Sequence, residues 1–149
     1  MIELSTKNNG IDLKARDNNG RSVLHMACCN ETTEIVKLLI ELSTKGDGID
    51  LNARDIYGAT ALHVAGWNSR TETAKLLIEL STKYEGIDIN ARDNNGKTPL
   101  HWACDCSIGK PEMAKLLIEL SAKYGIDVNV RLLFIGLAGC AFQWAIQKL

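Results

Sequence analysis

Hydrophobic residues recur along this chain in strings of the same sequence, separated by polar stretches of similar length. The string Leu-Leu-Ile-Glu-Leu-Ser occurs at 38–43, 76–81 and 116–121, and its last four residues also open the protein at 2–5. Together with the residues before it, each string has apolar positions three and four apart, the spacing of one face of an α-helix. The polar triplet Ala-Arg-Asp recurs with a period of 38 residues, at 15–17, 53–55 and 91–93. The pattern predicts helical units that bury their apolar stripes by stacking on one another.

The central unit indicates which elements each repeat contains. Thr60 suits the N-cap of a helix of about two turns that runs to near Trp67, and Thr71 suits the N-cap of a second, longer helix. Gly58 is expected to take a positive φ in the turn before the first helix. The alternating residues and the Asp-Asn-Asn-Gly turn within 87–96 predict a short β-hairpin finger that leads to the next unit.

These elements predict a single domain over residues 1–149, folded as an all-α repeat solenoid with short β-hairpin fingers. Its expected parts are a partial N-terminal unit at 1–16, three repeats at 17–54, 55–92 and 93–131, and a degenerate partial unit at 132–149. Because the chain opens with the tail of a second-helix string, we expect either a fragment of a longer array or an unusually short cap.

Three segments of the repeats carry a resemblance to a known family. GATALHVAG at 58–66 and GKTPLHWAC at 96–104 resemble the ankyrin-repeat signature G-x-T-P-L-H-x-A-A, and GRSVLHMAC at 20–28 is a weaker copy. With the LLIEL and I-D-x-N-A-R-D segments, the resemblance covers about residues 1–131. It implies stacked helix–turn–helix units with projecting hairpins, in an elongated solenoid that binds protein partners. The period of 38 residues is longer than the roughly 33 usual in that family, and the third repeat has a further insertion near 107–111.

Composition and charge narrow the classes of function. The formal net charge of −1 supplies no bulk attraction to nucleic acid or to an anionic membrane. Five cysteines, an odd number, together with polar residues close behind Met1, indicate free thiols in a reducing compartment rather than a secreted disulfide framework. We therefore expect a cytoplasmic protein with no nucleic-acid partner.

The histidines and cysteines raise the question of catalysis or metal binding. His25, His63 and His101 occupy equivalent places in three units, so stacking would place them about 10 Å apart, too far to share one ion. The resemblance implies that each one holds a hairpin by hydrogen bonds. His101, Cys104 and Cys106 form a zinc alternative, but a fourth ligand is not evident and small core thiols explain them as well. We expect no enzymatic activity, no cofactor and no metal.

The binding surface expected from the resemblance is the concave face, made of the finger tips and the ends of the first helices. The matching positions differ between the repeats, while the framework positions agree. The expected partner-binding residues are Arg16, Asn18, Asn19, Arg21, Asn30, Arg54, Ile56, Tyr57, Trp67, Asn68, Arg92, Asn94, Asn95, Lys97 and Asp105.

The second unit stands apart from its neighbours on this surface. It has Ile56 and Tyr57 where the other fingers have two asparagines, and Trp67 at its helix end. Aromatic residues flanked by arginines are typical of an interface hot spot. In the alternative interpretation, Trp67 folds onto the neighbouring unit as additional core.

A second property implied by the resemblance concerns a recurring asparagine. In some members of the ankyrin family the matching asparagine is hydroxylated, and here it corresponds to Asn52, Asn90 and Asn129. The lengthened loops change the sequence before these residues, which argues against carrying the modification over.

The segment from Leu132 to Phe142 carries no charge and only a thiol as a polar group. It is shorter than the roughly 18–20 residues of a membrane span, so no span is expected. Residues 141–145 are similar to 99–103, so the tail is interpreted as a degenerate first half of a fourth repeat. We expect part of it to stay exposed and to pair with downstream sequence or with another chain as a homodimer, through Leu132, Leu133, Phe134 and Ile135.

The expected function is a non-enzymatic protein–protein interaction module with its partner on the concave face. One alternative is a self-associating structural or tethering element that acts through the apolar C-terminal end. Another is an engineered ankyrin-type binding scaffold, against which the irregular loop lengths and the free cysteines argue.

Overall fold

The described part of the chain folds into six helices, which pack as three successive pairs. The computed structural model describes residues 12–30, 32–45, 49–84, 86–105 and 112–127. The helices are α1 (Val23–Cys29), α2 (Thr33–Thr44), α3 (Ala61–Trp67), α4 (Thr71–Tyr84), α5 (Pro99–Asp105) and α6 (Glu112–Tyr124). The short helices α1, α3 and α5 pack side by side in one layer, and the longer helices α2, α4 and α6 form the layer behind them. This confirms the predicted all-α repeat solenoid.

The helix boundaries of the central unit agree closely with the sequence pattern. Thr60 is the N-cap of α3, and α3 ends at Trp67, as predicted. The prediction that Thr71 is the N-cap of the next helix is wrong by one residue, because α4 begins at Thr71 itself. The carbonyl of Arg70 accepts a hydrogen bond from the Ala74 amide at 2.9 Å, so Arg70 already occupies the half-helical position before the helix.

Each finger is closed by an aspartate rather than by strand pairing. In all three fingers the aspartate Oδ1 accepts the backbone N–H groups two and four residues ahead, at 2.8–2.9 Å; the aspartates are Asp17, Asp55 and Asp93. Gly58 takes the predicted positive φ, 76°, within this turn. The described fingers contain no regular strand; Arg16 and Ser22 form an isolated antiparallel bridge. The predicted β-hairpin is thus reduced to a tight loop, because the carboxylate takes up amides that a ladder would otherwise pair.

The hydrophobic core lies between the two layers of helices. Each short helix contributes one fully buried leucine, and each long helix contributes the inner part of its apolar stripe; examples are Leu24, Leu62, Leu100, Ile40, Ile78 and Leu117. Burying a leucine or isoleucine side chain stabilises a fold by roughly 1.5–3 kcal/mol. The stripes are shared between neighbouring units, so the stability of each unit depends on the units beside it.

Two asparagines also join successive units behind the helices. The Asn52 side chain donates to the Gly86 carbonyl at 2.6 Å and accepts the Asp88 amide at 2.7 Å. Asn90 makes the same pair of bonds one unit later, with Gly125 and Asp127. The side-chain nitrogen and oxygen of both residues, which are two of the three candidates for hydroxylation, are therefore engaged in hydrogen bonds between units. Asn129 lies outside the described residues.

Candidate partner-binding face

The three fingers stand side by side and are joined tip to tip. The Ile56 amide donates to the Asn19 carbonyl at 3.0 Å, which joins the first finger to the second. The Asn94 amide donates to the Tyr57 carbonyl at 3.0 Å, and its side-chain amide donates to the Ile56 carbonyl at 3.1 Å. The tips therefore form one continuous row, in which Ile56 and Tyr57 occupy the centre.

Buried histidines stabilise this row through hydrogen bonds to the backbone of the next finger. His63 is fully buried, and its Nε2 lies 3.0 Å from the Lys97 carbonyl of the next finger. Since a carbonyl only accepts, Nε2 carries the proton, and the unprotonated Nδ1 accepts the Thr60 amide at 3.1 Å and its hydroxyl at 2.9 Å. His25 makes the equivalent bonds to Ser22 and to the Ala59 carbonyl. The structural role expected for these histidines is confirmed.

The third histidine differs from the first two. The Nδ1 of His101 accepts the Thr98 amide and hydroxyl at 3.1 and 2.7 Å, but its buried Nε2 has no hydrogen-bond partner among the described residues. Burial lowers the pKa of His25, His63 and His101 below the ordinary value, because a charged imidazole would lose its hydration. All three are thereby held in the neutral form that makes these bonds.

The arginines of the Ala-Arg-Asp triplets link the fingers along the row. Arg16 Nη1 donates to the Gly20 carbonyl of its own finger at 3.2 Å and to the Arg54 carbonyl of the next at 2.7 Å. Arg54 repeats this pattern with Gly58 and Arg92. These residues were singled out as partner contacts from the sequence, and their exposed side chains also hold neighbouring fingers together.

The apolar side chains of the second unit are the largest exposed ones on this face. Ile56 is 54% exposed, Tyr57 is 60% exposed and Trp67 is 42% exposed. The neighbouring fingers carry exposed asparagines at the equivalent tips, Asn18 with Asn19 and Asn94 with Asn95. An apolar centre with polar neighbours is the arrangement typical of interface anchors.

Trp67 lies against a second tryptophan, which the sequence interpretation did not include among the site residues. The Trp67 and Trp102 rings meet edge to face, with centroids 6.0 Å apart, and Trp102 also meets the buried His63 ring at 5.4 Å. Both interpretations of Trp67 thus describe part of its environment, because the ring packs on the next unit and keeps an exposed face. A large aromatic residue between the histidine and the alanine of the repeat was the available signal for Trp102.

Trp102 is itself fixed by the third finger. Its indole Nε1 donates to Asp93 Oδ2 at 2.8 Å. Burial by itself would raise the pKa of the Asp93 carboxyl, but the donors Trp102, Lys97 and Asn95 outweigh burial and lower it below its ordinary value. The ionised carboxylate therefore holds Trp102, and Trp102 supports Trp67 from the side.

The remaining site residues lie around this centre. Asn30 and Asn68 are the C-caps of α1 and α3, and the Asn68 side chain donates back to the Val64 carbonyl at 2.9 Å. Lys97 and Asp105 form an ion pair with each other across the third unit. Exposed pairs of this kind contribute little to stability, typically about 0–1 kcal/mol, so they shape the charge of the face more than the fold.

The zinc alternative gains no support from its described members. Burial raises the pKa of the Cys104 thiol to about 12, which disfavours the thiolate that a zinc ion binds. Among the described residues, no cluster of three or more histidine, cysteine or acidic side chains could hold a metal ion. Cys106 and the self-association residues Leu132, Leu133, Phe134 and Ile135 lie outside the described residues.

Comparison with known proteins agrees with the repeat architecture. The ankyrin repeats family matches in three copies, over residues 1–93 and 80–131. A search among curated proteins gives no match. None of the helices in the described ranges is long and apolar enough to cross a membrane. With its repeats matched over most of its length, the chain belongs to the ankyrin repeat family, whose members generally serve as protein–protein interaction modules and are typically not enzymes.

Proposed function

We propose that this chain is a non-enzymatic, cytoplasmic interaction module of three units, at 17–54, 55–92 and 93–131, that binds one protein partner on its concave face. The anchor of the contact is the second unit, through Ile56, Tyr57 and Trp67. The observation that carries the proposal is that these three large apolar side chains are 42–60% exposed, while the backbone of Ile56 and Tyr57 is hydrogen-bonded to both neighbouring fingers and Trp67 lies in α3. A rigid, exposed apolar cluster gains binding free energy without a large ordering cost.

The rigidity of the cluster comes from contacts to both neighbouring units. The Ile56 and Tyr57 backbone is hydrogen-bonded to the first finger through Asn19 and to the third through Asn94. Trp67 rests on Trp102. A partner would therefore meet a surface that is already in its binding conformation.

Self-association remains a second proposal, carried by a different part of the chain. The uncharged segment that begins at Leu132 would pair with the same segment of another copy in a homodimer. Light scattering over a range of protein concentrations separates the two proposals: a mass that stays at one chain argues against self-association and leaves partner binding on the concave face intact.

The test of the main proposal is affinity capture from cell extract, compared between variants by mass spectrometry. The double variant Tyr57→Ala with Trp67→Ala should lose the specific partner that the unchanged chain retains. The expected loss of affinity is roughly 700-fold, since two anchors of this type each contribute about 2 kcal/mol on truncation and every 1.4 kcal/mol is a factor of ten. A partner whose affinity stays within threefold in the double variant would refute the assignment of the surface.

A matched control is available on the opposite layer. Ile35 and Leu38 of α2 are also large and exposed, at 46% and 38%. The variant Ile35→Ala with Leu38→Ala removes exposed apolar surface from the layer of long helices, so it should retain the partner. If both double variants lose it equally, general stickiness rather than the concave face explains the capture.

A further inference from the structure

We propose that the partner presents an acidic segment to the fingertips, with Asp or Glu side chains beside an apolar residue. This inference rests on the proposed function, because it concerns the same concave face. It comes from the way the charges of the finger row are paired within the chain.

The finger row carries five cationic side chains in two distinct states. Three are neutralised by carboxylates: Arg21 by Asp17 at 2.7 Å, Arg92 by Asp127 at 3.3 Å, and Lys97 by Asp105. Arg16 and Arg54 have no carboxylate partner within the described part of the chain, where they bond carbonyl groups. The two unneutralised guanidinium groups therefore lie on adjacent fingers.

The carbonyl contacts leave each guanidinium able to bind more. The bonds that Arg16 and Arg54 make to the fingers all use Nη1, whereas a guanidinium has five N–H donors in a fixed plane. The carboxylate nearest in sequence to Arg54, that of Asp55, is directed into its own turn, where Oδ1 accepts the Tyr57 and Ala59 amides at 2.9 Å. A carboxylate from a partner could thus form a charge-assisted bond with donors that are already oriented.

The two guanidinium groups flank the apolar centre of the face. Arg54 Nη1 donates at 3.1 Å to the carbonyl of Gly58, the residue after Tyr57, and Arg16 Nη1 bonds both the first finger, at Gly20, and the second, at the Arg54 carbonyl. Neighbouring units stack at about 10 Å. An extended peptide advances about 3.3 Å per residue and its alternate side chains share one face, so acidic side chains two or four residues apart, separated by about 7 or 13 Å, would bracket the spacing of the two arginines. An apolar side chain beside them would reach Ile56 and Tyr57.

The same features favour a protein segment over a nucleic acid. The chain has a formal net charge of −1, and only two of the five cations in the row lack a carboxylate. A nucleic acid needs a continuous positive track along its backbone. An exposed aliphatic residue, Ile56, at the centre of the row also suits an apolar side chain better than a charged backbone.

The test is selection of binders from a random dodecapeptide library displayed on phage, with the full chain immobilised as the target. The expected result is enrichment of peptides with an excess of Asp and Glu beside an aromatic or aliphatic residue. Synthetic versions of the enriched peptides are then titrated by fluorescence anisotropy. A labelled single-stranded oligonucleotide serves as a second probe, and binding of the oligonucleotide in preference to the peptides would overturn the inference.

Variants identify the arginines that make the contact. Arg16→Gln with Arg54→Gln should weaken the enriched peptides about tenfold, the effect of losing two exposed charge pairs. Arg16→Lys with Arg54→Lys keeps both charges but loses the planar, pre-oriented donors, so it should weaken the peptides less than the Arg16→Gln, Arg54→Gln pair does. Arg21→Gln with Lys97→Gln removes the same formal charge from paired positions and should have the smaller effect. Thermal unfolding of each variant shows that the fingers are intact.

The outcomes separate this inference from the proposed function. Enriched peptides that need Tyr57 and Trp67 but carry no excess of acidic residues would overturn the acidic partner and leave the concave face as the site. The same conclusion would follow if the peptides bound the Arg16→Gln, Arg54→Gln variant as well as the unchanged chain. Peptides that bind the Tyr57→Ala, Trp67→Ala variant equally well would overturn both. Failure to enrich any peptide would also count against both, because the surface is proposed to be preformed.

Discussion

The bond between His63 and the next finger offers a direct test of how the units are joined. His63 is fully buried and makes three hydrogen bonds, two within its own unit to Thr60 and one to the Lys97 carbonyl. Replacing it with leucine keeps the bulk of the side chain but removes all three. At a net value of about 1 kcal/mol for each bond, the free energy of unfolding should fall by about 3 kcal/mol. If the Lys97 carbonyl finds no other donor in the variant, the free energy of unfolding falls further.

His101 supplies the matched control within the same chain. It makes the same two bonds within its unit, to Thr98, but its Nε2 has no partner among the described residues. His101→Leu should therefore cost about 2 kcal/mol or less, and the difference between the two variants, about 1 kcal/mol or more, reports the bond from His63 to the next unit together with the contact of its ring with Trp102. Urea unfolding followed by far-ultraviolet circular dichroism measures both. Equal destabilisation by the two variants would refute the assigned role of the Lys97 carbonyl.

The burial of these histidines predicts the pH dependence of stability. Burial lowers the pKa of His63 and His25 in the folded chain, while the unfolded chain keeps the ordinary value of 6.5. Below about pH 6.5 the unfolded state binds protons that the folded state does not, so stability is complete above that pH and falls as the solution becomes more acidic. Each such histidine contributes at most about 1.4 kcal/mol per pH unit. His63→Leu should reduce this acid sensitivity, and an unchanged pH profile would contradict the linkage.

Three further predictions concern the backbone and the thiols. Ser69 has a φ of 53° and a buried hydroxyl with no partner in the described ranges, so Ser69→Gly should raise the free energy of unfolding by about 1 kcal/mol in urea; a decrease would refute strain at this turn. Gly58 and Gly96 share a φ of 76°, but a Cβ at Gly58 would lie 2.8 Å from a backbone nitrogen of the next finger, while one at Gly96 has no atom of the described residues within 4 Å. Gly58→Ala should therefore destabilise the chain more than Gly96→Ala, and equal effects would show that the fingers move apart easily. Burial raises the pKa of the Cys28 and Cys104 thiols to about 12, so at pH 8 about one molecule in ten thousand carries either thiolate. Both should resist iodoacetamide in the native chain and react after unfolding, as measured by peptide mass spectrometry; rapid native labelling would refute this burial.

Much of the fold follows from local patterns that can be read in the sequence. Thr60 sits at the cap, Gly58 in its turn, and the apolar spacing on the second helices matches their buried faces. These features depend on a few consecutive residues, whose preferences act before any tertiary contact exists. The one-residue error at Thr71 arose because the turn before α4 is set by the left-handed Ser69, a conformation that serine seldom adopts.

The candidate site was less predictable, because its residues act across units. The sequence marked Arg16 and Arg54 as surface positions but gave no sign that each would bond the following finger. The sequence also left two interpretations of Trp67 open, an exposed partner contact and additional core. In the structure the Trp67 ring packs against Trp102 and still keeps an exposed face. Which cations find a carboxylate depends on distances between fingers, and a period of 38 residues does not specify these distances.

The sequence by itself determined that this protein is a repeat solenoid of paired helices with a histidine in each unit. The tertiary structure alone decided that His63 reaches the Lys97 carbonyl, that Asn52 joins one unit to the next, and that Arg54 bonds the Gly58 and Arg92 carbonyls and none of the described carboxylates. The physical reason is the range of the interactions. Helix capping and hydrophobic periodicity are fixed within a few residues, whereas these bonds join groups that are 34 or more residues apart in the sequence. Such bonds form only after the stacking of the units has brought the two groups together.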